Sequence, residues 1–160
     1  MTLPRATTAA EGRDLILTCI LSAPPAKIFR AWTDPALITQ WFTLADWRAT
    51  SAVLDVRAGG SSSITMRKPD GTEMINNDVY LEVVQDARLV FTDAYTSAWE
   101  PAERPFLTWI VTFEAFEAKT KYTVIARHWT VGDREVHENM GFHQSWPITT
   151  EQLAALVEQA

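Results

Sequence analysis

The stretch that decides the fold is Ala23-Pro24-Pro25-Ala26-Lys27-Ile28-Phe29-Arg30-Ala31-Trp32-Thr33-Asp34-Pro35, followed shortly by Gln40-Trp41-Phe42. Pro25 suits the first turn of a helix, because the N–H it lacks would have had no intrahelical partner. Ile28, Phe29 and Trp32 then fall on one helical face. Asp34-Pro35 starts a second helix, with Asp as N-cap and Pro at the first helical position, and Leu37, Ile38 and Trp41 give it an apolar face. Helices this short bury little alone, so they must lean on a sheet or on another helix.

Both flanks supply such partners. Upstream, residues 15–22 are mostly apolar and read as the first strand, while residues 1–14, rich in Thr and Ala, read as a flexible tail before a single domain over 15–160. Downstream, from 47 to 130, the hydrophobic period shifts towards two. Residues 53–56 end at Gly59-Gly60, a hairpin or bulge, and 61–67 run into the turn Lys68-Pro69-Asp70-Gly71. Further strands are expected over 74–84, 89–95, 107–116 and 121–130, mostly antiparallel because their connections are short. Residues 98–106, with two prolines, Trp99 and Phe106, are long for a hairpin and read as a lid or a stiff surface loop.

The chain closes with Gly141-Phe142-His143-Gln144-Ser145-Trp146, in which Phe142, Trp146, Leu153 and Leu156 form one helical stripe. Pro147 inside that stripe predicts a kink or a break, with Thr149 or Thr150 capping the restart. The reading is α+β: a curved antiparallel sheet of about six or seven strands around a long C-terminal helix, two short helices after the first strand, and room for a ligand.

Composition narrows the function classes. Of the 160 residues, 47% are hydrophobic and 21% charged, as in ordinary soluble domains, and the net charge of −6 argues against a nucleic-acid binder. No apolar window of about 18 residues occurs, so no membrane span is expected. Met1–Asp14 lacks the apolar core of a signal peptide, and Cys19, the one cysteine, excludes an intrachain disulfide, so a cytoplasmic location is expected. Cys19 sits within an apolar run and reads as a buried filler.

Seven tryptophans stand out: Trp32, Trp41, Trp47, Trp99, Trp109, Trp129 and Trp146. Indoles fill cores and also line ligand cavities, and both roles remain open. The histidines are His128, His137 and His143; the last two, six residues apart, would face different sides of a continuous helix, and HExxH-type zinc spacing is missing. No Walker loop, dinucleotide fingerprint or G-x-S-x-G occurs, so neither a cofactor nor a metal is expected and no catalytic constellation can be named.

The order and spacing of Ala23-Pro24 through Phe29, Ala31-Trp32-Thr33-Asp34-Pro35, Trp41, Gly59-Gly60, Pro69-Asp70-Gly71, Tyr80-Leu81-Glu82-Val83, Arg88-Leu89-Val90-Phe91-Thr92 and Gly141-Phe142 resemble the family related to the activator of the heat-shock-protein-90 ATPase, within the START-like (SRPBCC, birch-pollen-allergen-like) superfamily. The resemblance implies a helix-grip fold with a cavity between sheet and C-terminal helix. Superfamily relatives hold sterols, lipids, polyketides or hormones, and some cyclise polyketides. The co-chaperone activity in the family's name belongs to longer proteins with a further N-terminal domain and is not expected here. Two departures stand out. Ser145 and Pro147 flank Trp146 where small residues are common, and Asn77-Asp78 precedes Val79 where glycine is common, so that strand should begin differently.

Three functions follow as expectations. The first is a module binding a hydrophobic, lipid-like or aromatic, small molecule against Trp32, Trp41, Phe91, Trp99, Trp109, Phe142 and Trp146, with His128, His143 or Tyr95 as polar anchor. The second is a cyclase- or hydratase-type enzyme using a cavity histidine. The third is a protein-interaction domain, as a homodimer or a chaperone partner, with an exposed apolar patch at Trp99 and Phe106.

Overall fold

The computed structural model describes residues 5–159. In chain order the elements are β1 (Thr7–Glu11), β2 (Asp14–Leu21), α1 (Pro25–Thr33), α2 (Pro35–Trp41), β3 (Thr43–Leu44), β4 (Trp47–Leu54), β5 (Ser61–Arg67), β6 (Glu73–Val84), β7 (Arg88–Thr92), β8 (Tyr95–Ser97), β9 (Glu100–Pro101), β10 (Leu107–Phe116), β11 (Lys119–His128), α3 (Val131–Asn139) and α4 (Phe142–Val157). Nine strands form one antiparallel sheet in the order β1-β2-β11-β10-β7-β6-β5-β4-β3, and β8 pairs with β9 as a separate hairpin. The expected α+β architecture, a curved sheet around a C-terminal helix, is the observed one.

The helix starts follow from local chemistry. Pro25 opens α1, and the Asp34 carboxylate accepts the Ala36 N–H at 2.9 Å to cap α2, a contact worth about 1 kcal/mol. The apolar faces of both helices turn inward: Ile28, Phe29, Trp32, Ile38 and Trp41 are buried. Gly59 takes φ +85, and Gly60 lies so close to the Asp55 carbonyl that a Cβ would collide with it. This tight turn docks on β6, with Gly59 N–H donating to Tyr80 O and Tyr80 N–H to Gly60 O.

Four sequence expectations change. Within the tail expected over 1–14, residues 1–4 lie outside the described residues, but Thr7–Glu11 forms β1, paired with Thr18 to Asp14 of β2. Pro147 does not break α4, which runs unbroken from Phe142 to Val157. Thr149 and Thr150 therefore cap nothing; they donate to the Ser145 and Trp146 carbonyls one turn back, and Thr149 also reaches the Thr43 carbonyl. Residues 98–106 are no plain loop, since Glu100–Pro101 pairs with β8. Finally, α3 is an unforeseen helix, capped by the Thr130 hydroxyl accepting the Asp133 N–H at 3.0 Å, and none of its residues is fully buried.

Candidate functional site

Alternation along the strands decides what faces inward. On β2 and β11 the inward residues are Leu15, Leu17, Leu21, Tyr122, Val124 and Ala126, all fully buried and packed in one core with Leu153 and Val157 of α4. On β5, β6 and β7 the inward set is more polar and includes Ser62, Asn76 and Asp78. The space left is a cavity of about 450 Å³ between that part of the sheet, the short helices, the β8–β9 hairpin and α4. Its volume is that of a site for a small organic molecule. Met140 and Ile75 line it and are also largely exposed, which places the mouth between the end of α3 and β6.

Among the residues singled out from the sequence, Trp32, Phe91, Trp109 and Trp146 line this cavity. They form a connected aromatic wall: Trp32 and Phe91 are 5.9 Å apart by ring centroid, Phe91 and Trp109 6.4 Å, Trp109 and Trp146 5.1 Å. Such pairs add to burial energy and hold each ring in place. Trp41 and Phe142 stand behind this wall, buried, with Trp41 Nε1–H donating to the Ala31 carbonyl at 3.0 Å and Phe142 6.1 Å from Trp146. Trp32 is fixed by its Nε1–H, which donates to the Tyr122 hydroxyl at 3.1 Å; complete burial holds that phenol protonated far above its usual range.

The three expected anchors do not reach the cavity directly. Tyr95 and Trp99 lie on the far side of the hairpin, lining a second hollow of about 360 Å³ with Arg57, Leu81 and the Gly59 turn. His143 points outward, its Nε2 2.6 Å from Glu138 Oε2 and its Nδ1 2.7 Å from the Thr8 hydroxyl, and this bond holds the Glu138 carboxyl below the usual range. His128 is buried one layer back. The patch expected of Trp99 with Phe106 is also divided, since Phe106 lines the main cavity while Trp99 stands 87% exposed outside it.

The polar groups that do face the cavity were missed in the sequence. His137, on α3, lines it and approaches His128 at 2.8 Å between Nδ1 and Nε2. His128 Nδ1 lies 3.0 Å from the Arg13 carbonyl, which can only accept. In the neutral pair, His128 therefore carries its proton on Nδ1 and accepts at Nε2, and His137 donates from Nδ1. That tautomer leaves His137 Nε2 as a lone-pair acceptor with no partner among the described residues. Burial, with the neighbouring His128 second, pushes the His137 pKa down to about 4.

Across the cavity stand Asp78 and Asp93. Val79 pairs with Thr92, so one step further along the same antiparallel register Asp78 faces Asp93. Asp93 Oδ1 accepts the N–H groups of Phe106 at 2.8 Å and Leu107 at 3.1 Å, fastening the base of the hairpin. Asp78 has no hydrogen-bond or ion-pair partner among the described residues. Burial, with Asp93 second, pushes its pKa up to about 7. Tyr80 beside it is pushed up to about 12 by burial. Cys19, likewise raised to about 11 by burial, is an inert packing residue distant from this chemistry. Among the described residues no group of three His, Cys, Asp or Glu side chains could hold a metal, and no helix is long and apolar enough to cross a membrane.

The comparisons with known proteins agree with this architecture. The family model described as "Activator of Hsp90 ATPase homolog 1-like protein" matches residues 22–158. Protein NE0264 from Nitrosomonas europaea is 33% identical, with 94% of this chain and 97% of that one covered and a TM-score of 0.88. Protein Ms6760 from Mycobacterium smegmatis is 21% identical, with 95% and 96% covered and a TM-score of 0.80. An AHSA1-like protein from Aeromonas hydrophila shares the fold at 17% identity, with 86% and 94% covered and a TM-score of 0.59. No curated protein matches the chain. With its fold, its motifs and nearly its whole length in agreement, the chain belongs to the family of activator of Hsp90 ATPase homolog 1-like proteins.

Proposed function

We propose that this protein is a binding module for a small, largely hydrophobic molecule held between the β5–β6–β7 wall of the sheet and α4. The observation carrying this reading is the cavity of about 450 Å³, walled by Phe91, Trp109 and Trp146 and furnished with the unpartnered His137 Nε2 and Asp78 carboxyl. Apolar surface with a few convergent polar groups is the usual composition of a ligand site. The test is displacement of Nile red, a neutral hydrophobic dye, together with thermal shifts over a panel of aromatic and lipid-like compounds. A ligand at about 100 times its Kd should stabilise the fold by about 2.7 kcal/mol. No dye binding and no shift from any compound class would sink the proposal.

One observation favours a second reading. His137 presents an unprotonated Nε2 to the cavity and is held in orientation by His128 and the Arg13 carbonyl, the arrangement a general base requires. An enzyme of the cyclase or hydratase type would use it to take a proton from a bound substrate. On this reading, once a turned-over substrate is in hand, His137→Gln lowers kcat while leaving KM nearly unchanged. A rise in KM with kcat unchanged would return His137 to a purely binding role.

A further inference from the structure

We propose that the cavity selects a cation: a hydrophobic amine whose ammonium group sits between Asp78 and Asp93 and whose apolar body lies against Phe91, Trp109 and Trp146. The inference rests on the binding reading above and names the ligand's chemical class.

Asp78 and Asp93 form a like-charge pair. Asp78 and Asp93 face one another across β6 and β7, where opposed carboxylates repel and destabilise a sheet. Surface pairs of this kind are relieved by water or by a basic neighbour. Here both side chains line the cavity and no Lys or Arg lines it with them. Asp78 is half-buried at the cavity wall and has no hydrogen-bond or ion-pair partner among the described residues. The titratable groups that share the cavity with it are Asp93 from the end of β7, Tyr80 from β6 and His137 from α3. When Asp78 is ionised, Asp78, Asp93 and His137 Nε2 are all acceptors. Asp78 and His137 Nε2 therefore lack a donor among the described residues, and the wall carries no positive charge.

A protonated amine supplies both. Its N–H groups satisfy carboxylate oxygens, its charge separates the two carboxylates, and the aromatic faces nearby add cation–π attraction. A fatty acid or other carboxylate would bring a third negative charge into the same space and is excluded by the same argument.

The experiment uses three indoles of matched shape: tryptamine, 3-ethylindole and indole-3-propionate, each displacing Nile red from the whole chain at pH 8. Tryptamine is expected to bind about 10-fold or more tightly than 3-ethylindole, with indole-3-propionate weakest. Because protons compete for Asp78, tryptamine affinity should rise about 10-fold from pH 6 to pH 8, while that of 3-ethylindole stays flat. Asp78→Asn should abolish both the preference and the pH dependence. Asp93 is left intact because its carboxylate anchors the hairpin. Retention of near-ultraviolet circular dichroism by the variant certifies that it is folded; if it is not, the pH profile of the unmutated protein decides alone. Equal displacement by all three indoles overturns the cation inference and leaves the binding reading standing. Failure of Nile red itself to bind overturns both. Stabilisation by calcium chloride alone, equal to that by tryptamine, would assign the carboxylate pair to a metal ion and overturn the amine.

Discussion

The two halves of the sheet bury their inner faces in opposite ways. Where β2 and β11 meet α4, every inward position is apolar or, as with Tyr122, has its polar atom bonded, and Leu15, Leu17, Leu21, Val124 and Ala126 have no exposure at all. Where β5, β6 and β7 curve away, the inward positions include Ser62, Asn76 and Asp78, and a cavity stands in front of them. One half is packed as interiors normally are. The other sets polar side chains against a hollow. The contrast separates a packed half of this sheet from a hollow one.

Deletion in the packed half tests that division most strongly. Leu17→Ala should cost about 2–5 kcal/mol in urea unfolding, because its neighbours cannot collapse into the space, while Ile64→Ala on the cavity wall should cost distinctly less. Equal losses would mean that the cavity closes in solution. Next in size is Asp78→Asn, which should raise stability by about 2–4 kcal/mol at pH 8 and by little at pH 4, read from melting curves at the two pH values.

A third expectation concerns slope rather than size. The folded pKa of Asp78 is raised from 3.8 to about 7, so its contribution is present below pH 3.8 and is lost as pH rises through 7. The folded pKa of His137 is lowered from 6.5 to about 4, so its contribution is present above pH 6.5 and is lost as pH falls towards 4. Between about pH 4 and 6.5 the two effects oppose one another. Asp78→Asn should tilt the stability profile in that window upward with pH, and His137→Asn should tilt it downward. Parallel profiles for both variants would show that the two groups do not titrate as their burial requires. Smallest of all, Trp99→Ser should change stability by less than about 0.5 kcal/mol, as its indole is 87% exposed outside both packed regions.

The same division explains what the sequence could and could not convey. Pro25, Asp34-Pro35 and the Gly59-Gly60 turn are local devices, so their helices and turn were readable where they occur. The strand Thr7–Glu11, with the sequence TTAAE, has no alternation of its own and exists because β2 pairs with it. Likewise α3 has no apolar stripe, being held by its Thr130 cap and by contacts of its polar side chains. Losing α3 meant losing His137, whose partner His128 is nine residues earlier across a strand-to-helix corner. The aromatic wall was half legible: Trp32, Phe91, Trp109 and Trp146 face the cavity, but composition alone gives no means to separate them from Trp41 or Trp99. Asp78 carried a faint signal, as part of the Asn77-Asp78 departure from the pattern the family resemblance implies. Its meaning depends on Asp93, fifteen positions further along the chain.

The clustered indoles also give the protein an optical signature. Trp32 and Trp41 lie 5.0 Å apart with planes at 69°, and Trp109 and Trp146 lie 5.1 Å apart at 44°. Chromophores this close and this obliquely set share their excited states, so the far-ultraviolet circular dichroism should show a paired positive and negative indole band instead of a sum of isolated tryptophans. Because Trp109 and Trp146 border the cavity, a guest that turns either ring by a few degrees would change the amplitude of that couplet, and occupancy could be followed without any added label.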